Sequence, residues 1–307
     1  MTGTTRVLMV GLGTIARTHL GVLTGRPDVR VVAGVDPASP VMDLPVFATL
    51  AQALAAEPEP DLVVVATPTD THVALVREIV DRTDALVLSE KPLATGPAEI
   101  EALADVAHRV RVAHHFAFSP EVEWALRHVR AAGWSRPVRV LSTFHDAYAS
   151  LPATRLASLV STWVDSGPNH LSLLAPFTGP CTMVAHDDET DRAVTVLDHD
   201  GGRSVLTSSW LAADTSKQTT LEYAEGEVRM DHTAMTATVL RNGLVVEHVG
   251  YAGSAGRKEA HYRGLYDVLL TDPADERLGV PLAADIARLL EAAVSAPPGA
   301  TRWSSIC

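Results

Sequence analysis

The chain is poor in cysteine, in lysine and in long apolar runs, and each shortage excludes something. Two cysteines among 307 residues, Cys181 and Cys307, fit no metal spacing and no disulfide framework. A reducing cytoplasm is the expected setting, and no histidine is placed to activate Cys307 as a nucleophile. No apolar run approaches the ~20 residues that cross a bilayer. Val7-Leu8-Met9-Val10 is too short for a secretion-signal core, and no small-residue cleavage site follows. A net charge of -12 leaves no basic stripe for nucleic acid. Lysine occurs only at positions 91, 217 and 258, with arginine carrying the remaining cationic work. Buried lysine can lose its proton and arginine cannot, so each lysine invites inspection.

What is present is ordinary globular composition: 47% hydrophobic and 20% charged residues exclude disorder, and the length predicts two domains. There is no internal repeat, low-complexity tract or linker composition. The first third alternates strand and helix patterns. Strands are expected at Val7–Val10, Val29–Val35, Leu62–Ala66, Ala85–Ser89 and Val110–Ala113, with helices at Ile15–Gly25, Thr71–Arg82 and Pro97–His108. Unbroken apolar strands between helices imply a parallel sheet covered on both faces.

After Ser119 the rhythm changes. A helix (Pro120–Ala132) leads to a strand at Val138–Phe144, and another helix starts near Ser166. Asp200-Gly201-Gly202, Glu225-Gly226 and Asn242-Gly243 then punctuate a run of strands as hairpin turns. Helices near Glu259–Leu270 and Leu282–Val294 close the chain. The fold class read from this is α/β. A doubly wound Rossmann domain over residues 1–118 precedes an α+β substrate domain over 119–307, with a large, open, mostly antiparallel sheet. That second sheet is expected to join copies of the chain into a dimer or tetramer.

Gly11-Leu12-Gly13-Thr14-Ile15-Ala16 is a G-x-G-x-x-A sequence between the first strand and first helix. Gly11 permits a tight turn, Gly13 lets the backbone approach a pyrophosphate, and Ala16 lets helix and strand pack closely. The helix amides and dipole at Thr14 and Ile15 then hold phosphate. Asp36 stands at the end of the second strand, where a carboxylate accepts bonds from ribose hydroxyls; the plainer alternative is an Asp-Pro turn. A carboxylate repels a 2′-phosphate, and no arginine or lysine lies in residues 37–76. NAD is expected over NADP.

The stretch from Val7 to Asp36, with Arg17 and His19, then Ala66-Thr67-Pro68 with His72, then Glu90-Lys91-Pro92, resembles the Gfo/Idh/MocA oxidoreductases. The resemblance implies that Lys91 points into an active site beside the nicotinamide, that the Lys91–Pro92 bond is cis, and that Thr67, Pro68, His72 and Glu90 line the cofactor. Further on, Trp163-Val164-Asp165-Ser166-Gly167-Pro168-Asn169-His170-Leu171-Ser172 resembles the D-x-G-x-N-x-L-S segment of aldose 1-dehydrogenases in that family, and His115 aligns with a histidine of theirs. Ala117 replaces their arginine, and His145-Asp146 only loosely matches their K-E pair.

Asp165 and Asn169 are four apart, so on a helix they share a face; Asp165 also reads as a helix N-cap. His114 and His115 are expected on opposite faces of a strand, with His115 toward the site, while His170 lies around the helix from Asn169. His19 reads as structural, and His72 as a cofactor contact or a cap. His186-Asp187-Asp188 and Asp198-His199-Asp200 read as solvated turns, so no metal is expected. The implied chemistry is hydride exchange with a small polyhydroxylated molecule. Lys91 serves as base or oxyanion stabiliser, and Asp165, Asn169 and His115 orient hydroxyls. Aldose oxidation at C1 leads. A keto-sugar or cyclitol enzyme, and a non-catalytic dinucleotide-binding regulator, stay open.

Overall fold

A computed structural model describes residues 4–152, 156, 159–251 and 256–295; Cys307 lies outside them. The chain divides into two compact units. The first takes residues up to His114 together with Leu265–Ala284, and the second takes His115–Gly264 and the chain from Asp285 on. Sequence pattern gives everything after Ser119 to one domain. The return of Leu265–Ala284 to the first unit is instead fixed by packing: Tyr266 is fully buried, with its hydroxyl 2.7 Å from His19 Nδ1.

In the first unit the elements run β1 (Thr5–Val10), α1 (Thr14–Thr24), β2 (Val29–Val35), β3 (Val46–Phe47), α2 (Leu50–Ala56), β4 (Leu62–Val65), α3 (His72–Arg82), β5 (Leu86–Ser89), α4 (Pro97–Glu101) and β6 (Val110–Val112). The strands pair in the order β3-β2-β1-β4-β5-β6, parallel throughout. This is the doubly wound nucleotide-binding order, whose switch point lies between β1 and β4. Val7–Val10 and Leu62–Val65 are buried end to end, as strands covered on both faces must be. Residues 97–108 are not one helix: after α4 the backbone tightens into a 3₁₀ turn at Ala104–Arg109, with Leu103 N bonded to Ile100 O at 2.9 Å.

The second unit holds α5 (Pro120–Ala131), β7 (Arg139–Ala147), α6 (Thr162–Thr178) and seven further strands. These are β8 (Cys181–Glu189), β9 (Arg192–His199), β10 (Gly202–Ser209), β11 (Leu211–Tyr223), β12 (Gly226–Asp231), β13 (Thr236–Arg241) and β14 (Leu244–Gly250). Their order is β14-β13-β12-β11-β7-β10-β9-β8. Only β7 and β10 run parallel; every other neighbouring pair is antiparallel. Asn242 and Gly243, with φ of 51° and 76°, make the left-handed pair that a two-residue hairpin between β13 and β14 needs. Helix α6 packs on β7 to β10, and α5 on β12 and β13. Alternation along β7 and β11 sends Ser142, Phe144, Asp146, Lys217 and Thr219 inward. Leu141 on β7, Val184 on β8 and Leu244 to Val246 on β14 stay exposed. Two late helices, α7 (Arg257–Thr271) and α8 (Val280–Ser295), complete the fold.

Candidate active site

The glycine turn joins β1 to α1 at the sheet's switch point. Gly11 has φ of +86°, and a side chain there would meet the Ala66 carbonyl oxygen at 2.6 Å. Glycine is therefore demanded twice over, by backbone angle and by the neighbouring strand. Gly13 is different: nothing lies within 4 Å of where its side chain would project. It caps α1 without a side-chain hydrogen bond, and no acid sits in the first turn at Thr14 and Ile15. Open space over an uncapped, positively polarised helix end is the cradle a pyrophosphate requires. Asp36 closes the cradle. Its Oδ2 accepts from Leu12 N and its Oδ1 from Ala38 N, both at 2.9 Å. A carboxylate has about four acceptor positions, which leaves capacity for ribose hydroxyls. The residues fit a dinucleotide.

Beyond β4, the Thr67 and Thr71 hydroxyls meet at 2.7 Å, and Thr71 donates to the Pro68 carbonyl. His72, expected as a cofactor contact or a cap, has both ring nitrogens at backbone carbonyls. It is buried, with Nε2 2.9 Å from the Thr67 carbonyl oxygen and Nδ1 2.9 Å from that of Pro92. The ring thus clamps two loops together. Glu90 is buried; it meets His19 Nε2 at 2.9 Å through Oε1 and accepts from the Lys91 amide through Oε2. His19, Glu90 and Tyr266 form a buried support beneath Lys91. Lys91 itself is half-buried just past the C-terminal end of β5, and its bond to Pro92 is cis.

In the second unit, α6 begins earlier than expected. Ser161 is its N-cap, accepting from Val164 N, so Asp165 lies inside the first turns rather than capping. Asp165 and Asn169 share a helix face, and Asn169 Nδ2 donates to the Asp165 carbonyl at 3.4 Å. His114 and His115 do not alternate on a strand, because β6 ends at Val112 and His115 opens a 3₁₀ turn. His115 stacks on Tyr262 at 4.8 Å, and its Nδ1 lies 3.3 Å from His261 Nδ1. His170 is fully buried, between Ser142 Oγ at 2.8 Å and Ser208 Oγ at 3.2 Å. Ser142 continues to Thr219, Thr219 to His232, and His232 to Glu121, each step 2.8–2.9 Å. Burial holds His170 well below the usual imidazole range. Among the described residues, no group of three or more His, Cys, Asp or Glu side chains could hold a metal ion.

One pair was not foreseen. Lys217 Nζ on β11 lies 2.5 Å from Asp146 Oδ2 on β7, and the two side chains are only 5% and 7% exposed. The ammonium also sits 4.8 Å over the Phe144 ring. Burial pushes Lys217 below the ordinary lysine range, against the pull of Asp146. The signal was present in Lys217-Gln218-Thr219-Thr220-Leu221, where period-two alternation puts the lysine on the inward face.

Residues 5–118 match the family profile described as "Oxidoreductase family, NAD-binding Rossmann fold", the Gfo/Idh/MocA family. No curated protein sequence matches the chain significantly. Solved structures match it over nearly its full length. A myo-inositol dehydrogenase from Corynebacterium glutamicum is 18% identical with a TM-score of 0.78, covering 95% of this chain and 96% of that one. GenD2 from gentamicin A biosynthesis, solved with NAD, is 22% identical with a TM-score of 0.78, covering 96% and 94%. KijD10, a 3-ketoreductase from Actinomadura kijaniata solved with NADP and TDP-benzene, is 18% identical with a TM-score of 0.77, covering 95% and 98%. At these identities the likeness is one of fold. Over residues 5–118, its nucleotide-binding domain, the chain is similar to the Gfo/Idh/MocA family of NAD-binding oxidoreductases.

Proposed function

We propose that the chain oxidises a hydroxyl-bearing carbon of a polyhydroxylated small molecule, with oxidation of a cyclic aldose at C1 as the leading case. The observation that carries this reading is Lys91, half-buried at the C-terminal edge of the parallel sheet and braced by Glu90, His19 and His72. Open α/β sheets bind ligands at that edge. Bound NAD supplies the hydride acceptor. Lys91 takes the hydroxyl proton, or stabilises the developing oxyanion, as the C–H bond breaks. Asp165, Asn169 and His115 orient the remaining hydroxyls. C1 of an aldose is the ring position most readily oxidised, because the ring oxygen stabilises the positive character that develops there.

Oxidation or reduction of a keto-sugar or cyclitol is the second reading. It is favoured by Ala117, fully buried where the aldose-type pattern has arginine, and by the activities named for the inositol dehydrogenase and ketoreductase of like fold. The exposed apolar residues of β7, β8 and β14 support self-association through the second sheet. A panel of aldoses, cyclitols and keto-sugars, followed by absorbance of the reduced cofactor, tests the function. Lactone formation from an aldose supports the leading case. Inert aldoses beside a reduced keto-sugar replace it with the second reading.

A further inference from the structure

The second unit contains two buried side-chain nitrogens that no described residue engages. Helix α7 carries Arg257 and, four residues on, His261, which places both on one helix face. Both pack on Phe116: the Arg257 guanidinium lies over the ring at 5.5 Å, and the His261 ring meets it edge-on at 4.8 Å. Phe116 in turn packs on Phe144 at 4.9 Å, beneath the Lys217 ammonium. Two cations thus stand over two touching aromatic rings. Arg257 Nη1 and His261 Nε2 are buried, and among the described residues neither has a hydrogen-bond partner.

The surrounding charges do not fill these positions. Asp146 and Glu121 are the carboxylates that pull most on Arg257. Asp146 is held by Lys217 at 2.5 Å, and Glu121 is held through one oxygen by His232 at 2.8 Å. A buried cation with an empty donor is costly. The group that relieves it is an oxyanion, whose oxygens match the guanidinium fork. With Asp146 and Glu121 already acting on Arg257, a single negative charge fits better than two.

We infer that Arg257 and His261 form a recognition site for a carboxylate, so that the substrate is a sugar acid rather than a neutral sugar. The inference rests on the proposed polyhydroxylated substrate and adds its charged group. His261 donates through Nε2 when its Nδ1 accepts the proton of His115 Nδ1, 3.3 Å away. A bound carboxylate therefore selects that one tautomer.

The test is calorimetric titration of the full chain with a hexuronate, the parent neutral hexose and the hexose 6-phosphate, in the wild type, Arg257→Met and Arg257→Lys. The hexuronate is expected to bind the wild type at least about tenfold more tightly than the hexose. Arg257→Met should erase that margin and leave the hexose unaffected, and Arg257→Lys should restore part of it. Nitrogen chemical shifts of labelled histidine should show His261 fixed as the Nε2–H form when hexuronate is added. That measurement needs no variant and decides the matter if the Met protein fails to fold. Equal binding of hexuronate and hexose overturns the site, as does a preference that survives Arg257→Met. Tighter binding of the phosphate ester overturns the carboxylate assignment. Because binding is read without turnover, a chain that oxidises no sugar refutes the proposed function while this result still stands or falls on its own.

Discussion

The Leu12 amide donates to the Asp36 carboxylate at 2.9 Å, tying the glycine turn to the end of the second strand. The bond fixes a negative charge beside the place a ribose would occupy. NAD(H) should accordingly bind at least tenfold more tightly than NADP(H), about 1.4 kcal/mol. Asp36→Ala should shrink that margin by weakening NAD(H) more than NADP(H). Fluorescence titration of both cofactors measures it, and a variant that keeps the full margin would move the selectivity elsewhere.

Lys91→Met should leave cofactor binding within a few-fold and lower kcat by roughly 100- to 10,000-fold, the usual loss for an acid–base group. Arg at this position should not rescue the rate, because guanidinium cannot supply a neutral base. Near-normal turnover in the Met variant would remove Lys91 from the chemistry.

The two glycines of the turn should fail differently. Gly11→Ala forces a side chain into the Ala66 carbonyl at positive φ, and should destabilise the fold by about 1–3 kcal/mol. Gly13→Ala projects into open space, so it should weaken NAD binding with a smaller change in stability. Urea unfolding beside cofactor titration separates the two, and equal stability losses would contradict the geometry.

Acid should unfold the protein partly through His114. Burial pushes this imidazole from 6.5 down to about 4, its Nδ1 donating to the Arg277 carbonyl at 3.2 Å. A folded pKa below the unfolded one gives stability that is complete above pH 6.5 and is lost as pH falls toward 4. The loss amounts to about 3 kcal/mol. In His114→Gln, unfolding free energy plotted against pH should be flatter across that window, although lower at neutral pH. A slope equal to the wild type would assign the acid sensitivity to other groups, His170 and His261 first among them.

Ser142 stands at the middle of the chain of hydrogen bonds from Glu121 to Ser208. Ser142→Ala strips a partner from both His170 and Thr219 and should cost about 1–3 kcal/mol, read as a shift in urea midpoint. No shift would mean that water replaces the hydroxyl.

Much of the first unit was legible because its strands are continuous apolar runs and its turn chemistry is local. Gly11, Gly13 and Asp36 are read from their spacing together with the strand–turn–helix setting around them. The short β3 and α2 were not read, although Thr49-Leu50-Ala51-Gln52 is a capping box, with both reciprocal bonds formed. His72 and Glu90 were legible as motif residues but not as supports, since their partners are backbone carbonyls and a residue 71 positions away. Sequence spacing carries no information about such partners. The Lys217–Asp146 pair stayed hidden for the same reason: it exists only because β7 and β11 are neighbours.

That neighbourhood also orders events during synthesis. β7 sits in the middle of its sheet, yet the strands on its two sides are Gly202–Ser209 and Leu211–Tyr223. A nascent chain that has emerged only as far as α6 therefore holds a central strand with both edges bare. Its contacts across the sheet span 71 residues at Asp146 and Lys217, and such distant pairings form slowly. The second unit must wait for most of its length before its core can close, and meanwhile Val140 and Phe144 are a hazard for sticking to other chains.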